Sequence, residues 1–134
     1  MSRIQIQRFS APDETVPFVE KGRVDVLHVG EAKVGRAVFE PGWRWSRHEQ
    51  PLLGTSSCEM PHLAYVLSGR LCIRMDDGDQ VDVGAGDWVT VPPGHDAWTL
   101  GDDPCVILDV AGLSEHPTER AGRGDRPAGE QRAH

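Results

Sequence analysis

The chain has 134 residues, of which 38% are apolar, and it carries 15 glycines and 10 prolines. That length and composition suit one domain with a compact core, built from many short elements and turns rather than long helices. The formal net charge is −7 and no stretch is rich in Lys or Arg, which argues against nucleic acid or an anionic membrane as a partner. No apolar run is long enough to span a bilayer. The N-terminal MSRIQIQRFSAPDE lacks the apolar stretch and small-residue cleavage site of a secretion signal, so a cytoplasmic location is expected. Cys58, Cys72 and Cys105 cannot all pair within one chain, and a disulfide framework is not expected.

Short alternating segments follow one another along the chain. They are IQIQRF (4–9), RVDVLHV (23–29), VGRAVF (34–39), HLAYVLSG (62–69), RLCIRM (70–75), QVDVG (80–84), DWVTVP (87–92), AWTL (97–100) and PCVILDV (104–110). Turn residues separate them: Pro41-Gly42, Asp76-Asp77-Gly78-Asp79, Gly84-Ala85-Gly86-Asp87, Pro92-Pro93-Gly94 and Gly101-Asp102-Asp103-Pro104. Strands spaced this way predict an all-β sandwich or barrel. The Asp-Asp-Gly-Asp stretch predicts a hairpin between RLCIRM and QVDVG. After Leu113 the chain has no large apolar residue, while acids and arginines alternate with Gly and Pro. Residues 1–113 are therefore expected to form the domain, and 114–134 a disordered tail.

Three stretches have a recognisable frame. Gly42-Trp-Arg-Trp-Ser-Arg-His48 sets a histidine six residues after a glycine. His62-Leu-Ala-Tyr-Val-Leu-Ser-Gly69 sets a glycine seven after a histidine. Gly86-Asp-Trp-Val-Thr-Val-Pro92-Pro93-Gly94 runs from a glycine to a Pro-x-Gly bend. Together they resemble the two sequence motifs of the cupin superfamily, over roughly residues 35–110. The resemblance implies a double-stranded β-helix, a jelly-roll barrel, with a metal ion held inside. The ligand pattern departs from the usual one. His48 is followed by Glu49, not by a second His two residues on. Cys58 stands where that second histidine is expected, and His62 stands at the usual glutamate position. In the second motif the usual histidine position is Ala97, and the nearby histidine is His95. The resemblance thus implies a reshuffled ligand set of His48, Cys58, His62 and His95.

Elementary chemistry supports the same expectation. Neutral imidazole and thiolate are good donors to first-row divalent ions. His62 shares strand parity with Ala64 and Val66, and His95 with Ala97, so both point where small and apolar groups point. Several inward histidines beside a cysteine are hard to satisfy without a metal. One divalent ion is expected, with zinc favoured over iron or manganese because thiolate and imidazole together suit it. In VPPGHDAW the prolines pre-set the backbone and Gly94 permits an unusual conformation, so the bend aims His95. Asp96 is either an acceptor that orients an imidazole or a capping carboxylate. Trp45 and Trp98 either line a pocket or pack, and Arg44 is either a carboxylate clamp or a surface residue. Cys72 and Cys105 are expected in the core, with His28 packed beside Val24 and Val26.

Two functions are open to such a chain. One is a metal-dependent enzyme acting on a small polar molecule by Lewis-acid or dioxygenase-type chemistry, with Glu49, Glu59 and Asp96 as candidates for a general base. The other is a non-enzymatic module that binds a small ligand or regulates a partner. A homodimer is expected in either case, because IQIQRF offers an edge that needs covering.

Overall fold

A computed structural model describes residues 3–111. It contains nine strands and two single-turn helices: β1 (Glu14–Pro17), β2 (Gly22–Val29), β3 (Ala32–Phe39), α1 (Trp45–His48), α2 (Gln50–Leu53), β4 (His62–Ser68), β5 (Arg70–Met75), β6 (Gln80–Gly84), β7 (Trp88–Val91), β8 (His95–Leu100) and β9 (Cys105–Ala111). The strands form two antiparallel sheets, one of six in the order β1-β2-β3-β9-β4-β7 and one of three in the order β6-β5-β8. This is the expected jelly-roll architecture. No helix among the described residues is long and apolar enough to cross a membrane. The expected tail at 114–134 lies outside the described residues.

The core forms where the inward sides of the two sheets meet. Val24, Val26, Ala37, Val66 and Ile107 come from the larger sheet, and Leu71, Ile73, Val83 and Ala97 from the smaller. Alternation does the sorting, since residues two apart on a strand share a face. Cys72 and Cys105 are buried, as expected. The predicted hairpin is present as β5–β6, with Arg74 opposite Gln80 and the turn at 76–79 between them. Phe18, Phe39 and Trp43 pack ring against ring at one end of the core.

Two expectations fail. IQIQRF is not a strand: Ile4 and Ile6 are 92% and 65% exposed, and no neighbouring strand pairs with them. The edge of the large sheet is taken instead by β1, which pairs with β2. Alternation without a partner does not make a strand, because the backbone groups then have no ladder to join. His28 is not packed in the core beside Val24 and Val26. It lies near the end of β2, exposed, with Nε2 3.3 Å from Glu14 Oε2.

Two glycines of the second and third sequence frames do different work. Gly69 has φ 77°, and a Cβ there would lie 2.2 Å from Pro104 O and 2.6 Å from Cys105 Cα. Gly86 has φ 94° but open space around it. The left-handed conformation alone costs about 1 kcal/mol for a non-glycine residue, and the backbone clash at 69 adds to it. Gly69→Ala should therefore lower the melting temperature by about 8 °C or more, and Gly86→Ala by roughly half that or less. Thermal melts of the two variants check the order.

Candidate metal centre

Three of the four residues expected as ligands meet inside the barrel. Cys58, His62 and His95 offer donor atoms that all lie within 4.8 Å of one another. Each arrives by a different route. His62 opens β4, whose alternation buries Ala64 and Val66 on the same face. His95 opens β8 directly after the Pro-Pro-Gly bend, where Gly94 takes φ 93°. Cys58 precedes β4 in a loop but is held by backbone pairing to the bend. Its N–H donates to His95 O at 2.7 Å, and its carbonyl accepts from Gly94 N–H at 2.7 Å. The thiol is therefore held beside His95 by the main chain rather than by side-chain packing alone.

The second nitrogen of each imidazole is already committed. His62 Nδ1 lies 2.9 Å from Asp109 Oδ2, and Asp109 is wholly buried. An ionised carboxylate only accepts, so Nδ1 carries a proton in either charge state, and Nε2, which a metal would take in place of its proton, faces Cys58 Sγ at 3.6 Å. His95 Nδ1–H donates to Pro92 O at 2.8 Å, which likewise leaves Nε2 free. Carboxylate and carbonyl acceptors of this kind orient metal-binding histidines and fix their tautomer. Two donors on one tetrahedral zinc ion sit about 3.5 Å apart. The Cys58–His62 separation already matches that, so the donor set fits a divalent ion.

Electrostatics sharpen the picture. Burial alone would lower the His62 pKa, but the charge and hydrogen bond of Asp109, with a further pull from Cys58, raise it to about 10. Burial, and then the charge of His62, push His95 down to about 4, so its ring is neutral across the physiological range. Burial pushes the Cys72 and Cys105 thiols up to about 11 and about 12, and neither belongs to the cluster.

His48 stands apart. It sits in α1, where its Nδ1 accepts the Arg44 N–H at 3.0 Å and its carbonyl accepts the Val19 N–H at 2.8 Å. It is not among the clustered donors. Asp96 caps α1: Oδ1 accepts the Ser46 N–H at 3.1 Å, and Oδ2 accepts Arg44 Nε–H at 3.0 Å. Arg44 stacks on Trp98, 4.4 Å from the ring centre. Neither Arg44 nor Trp98 lines the cavity described below, whereas Trp45 does. Glu59 accepts a hydrogen bond from Ser57 Oγ. The residue missed in the sequence is Asp109. Its parity with Cys105 and Ile107 on an apolar strand was the available signal, since a charge on an inward face needs a partner.

The centre opens onto a cavity of about 60 Å³ whose polar lining is Glu49, Cys58, His62 and His95. Its remaining walls are apolar, among them Phe39, Trp43, Trp45, Leu71, Ile73 and Ile107. Burial pushes the Glu49 carboxyl up to about 8. The charge of His62 opposes this, and so, more weakly, does the Trp43 indole, which lies outside full hydrogen-bond geometry.

A two-sheet antiparallel barrel with an interior cluster of histidine and cysteine is a jelly roll with a possible metal site. Residues 56–111 match the Cupin domain family, and the fold is a cupin-type jelly roll. The polyketide cyclase RemF from Streptomyces resistomycificus is structurally similar, with 21% identity, TM-score 0.56 and coverage of 91% of this chain and 93% of that one. So is oxalate decarboxylase from Lactobacillus farciminis, with 16% identity and TM-score 0.58, covering 86% of this chain but only 34% of that one. A third similar structure is a protein of unknown function from Vibrio parahaemolyticus, with 13% identity, TM-score 0.55 and coverage of 75% and 99%. At these identities the likeness is one of fold. No curated protein matches the sequence.

The raised pKa values of His62 and Glu49 predict a pH dependence for the metal-free chain. A His62 pKa raised from 6.5 to about 10 contributes stability that is present below pH 6.5 and lost as pH rises through 10. A Glu49 pKa raised from 4.5 to about 8 means that the folded state also loses ground as pH rises from 4.5 to 8. The melting temperature of metal-free protein should therefore fall between pH 6.5 and pH 9. Zinc competes with protons for its ligands, so the gain in melting temperature on adding zinc should grow over the same range. Melts across that range, with chelator and with zinc, test both signs.

Proposed function

We propose that the protein is a metal-dependent enzyme acting on a small molecule inside the barrel, with Cys58, His62 and His95 holding one divalent ion. The observation that carries this reading is the pair of imidazoles whose Nδ1 atoms are tied to Asp109 and Pro92, leaving both Nε2 atoms beside a thiol. Zinc is the preferred ion because thiolate and imidazole suit it, and three protein ligands leave a position for substrate. Such an ion supplies Lewis-acid polarisation of a bound oxygen. His48 is left to brace the α1 turn.

Glu49 separates this reading from a pure binding module. Of the three carboxylates considered as a base, only Glu49 lines the cavity, and it is close enough to His62 for the two to interact electrostatically. It is placed to hold or pass a proton at the ligand. Fold likeness to enzymes adds no more than a prior.

Metal analysis of protein purified without chelator should find one equivalent, mostly zinc. His95→Ala should lose most of it while the far-ultraviolet spectrum stays that of a β protein. Asp109→Asn should weaken zinc by about 10–100-fold through the ring it orients. Cys58→Ser should weaken zinc more than manganese, because hydroxyl is a poor donor at neutral pH. Full occupancy in His95→Ala would remove the central residue from the proposal.

A homodimer belongs to the same proposal. Ile4 and Ile6 stand exposed on an unpaired segment, and a second copy would take them out of water. Light scattering at micromolar concentration should give twice 14.7 kDa, and a clean monomer counts against it.

A further inference from the structure

The six-stranded sheet has two faces, and only one of them meets the core. On the other face β4 presents Leu63, Tyr65 and Leu67, and β7 presents Trp88 and Thr90. On the opposite side of β4, β9 adds Val106, Leu108 and Val110. The three strands are neighbours in the sheet, so these side chains form one continuous surface. Tyr65 stands opposite both Trp88 and Leu108, and its ring centre lies 4.9 Å from that of Trp88. None of these residues is charged. Leu63, Leu67 and Val110 are each about two-fifths exposed, and Trp88 is 62% exposed.

Further along the sheet the same face is covered by the chain itself. Leu27 on β2 lies outside the core cluster yet is only 4% exposed. The N-terminal segment reaches that side: Gln5 Oε1 accepts the Gly30 N–H, and the Arg36 guanidinium on β3 lies 6.0 Å from the centre of the Phe9 ring. Among the described residues nothing gives β4, β7 and β9 the same cover, and their outward side chains stay in water. Beyond Ala111 the sequence has Leu113 and no further large apolar residue, too little to hide the surface that remains.

Size and charge both point to a second copy as the occupant. Trp88 alone leaves roughly 150 Å² in water, and the whole face on the order of 500 Å². A standard interface takes about 800 Å² from each partner, somewhat over half of it apolar. The face therefore supplies the apolar part of one such interface. Two copies that each carry −7 repel one another, and they meet at least cost across a surface without charges. An apolar surface needs no different surface as its complement, so it can pair with itself about a two-fold axis. We infer that a second copy of this chain docks here, the outward sides of β4, β7 and β9 packed on their counterparts with the Tyr65–Trp88 pair inside the contact. This rests on the homodimer part of the proposed function and names its surface, and it does not depend on the metal centre.

The test is analytical ultracentrifugation of the full-length chain and three variants. Wild type should sediment as a dimer, twice 14.7 kDa, at micromolar concentration. Trp88→Glu and Leu67→Glu each put a charge into the contact at a position exposed within one chain, so the fold of the monomer should survive, as circular dichroism checks. Each should weaken dimerisation at least about 30-fold. Ile6→Glu should stay dimeric. A second measurement avoids charged variants: acrylamide quenching of tryptophan fluorescence should fall as wild type is concentrated through the dimerisation range, and Trp88→Phe should dimerise without that change. Dimers that survive both Trp88→Glu and Leu67→Glu, or quenching that does not alter on dimerisation, overturn this surface. If Ile6→Glu alone dissociates, the homodimer stands and its interface moves to the N-terminal segment. A wild-type chain that is a clean monomer overturns the surface and the homodimer together, and a monomer whose Trp88 is already shielded from acrylamide assigns the face to the chain's own residues.

Discussion

The contact between His62 and Asp109 is the constraint on which the site depends. Asp109 is wholly buried on β9, and its carboxylate lies 2.9 Å from the His62 ring on β4. A buried carboxylate without a partner would cost several kcal/mol, so the pair must form if the sheet is to close as it does. Once formed, it sets the tautomer of His62, aims Nε2 at Cys58 and makes the ring more basic. One interaction thus joins sheet stability to donor geometry. The neighbouring register is irregular, with Leu63 opposite Ala111 but Ala64 opposite Asp109. This shift lies between His62 and the inward-facing Ala64, at the point where the two strands carry the pair.

A second device works through the backbone. Cys58 and His95 form an isolated antiparallel bridge outside the regular sheets. The bend before His95 is stiffened by two prolines and turned by Gly94. Side chains on a mobile loop would hold a metal poorly, because ligand positions must agree to a few tenths of an ångström. Main-chain pairing removes that freedom from a loop residue without asking it to join a strand.

Function follows from the contrast between these polar constraints and their surroundings. The barrel interior is otherwise apolar, so any charge brought in is felt strongly and must be matched. Glu49, held up to about 8 by burial, is the remaining ionisable group of the lining besides the three clustered donors. Its position just after α1 depends on the turn that His48 and Asp96 hold in place through Arg44 and Ser46. His48, expected as a ligand, and Asp96, weighed as an imidazole acceptor or a capping carboxylate, both make their hydrogen bonds to this turn.

Much of the architecture was determined by the sequence alone. Alternation with period two, glycine and proline at the turns and the Asp-Asp-Gly-Asp hairpin are local properties, and they dictate short antiparallel strands wherever the chain is placed. The inward parity of His62 and His95 was legible for the same reason. What local pattern could not decide was which inward residues meet. Cys58 lies in a loop with no periodicity, and Asp109 is separated from His62 by 47 positions, so their proximity depends on β9 inserting between β3 and β4. The failure of IQIQRF as a strand has the same origin, since a strand exists only where another supplies its hydrogen bonds. Sequence sets what each residue can do and which side it faces, and tertiary pairing alone brings the donors together, because the contacts that close a barrel are almost all distant in the chain.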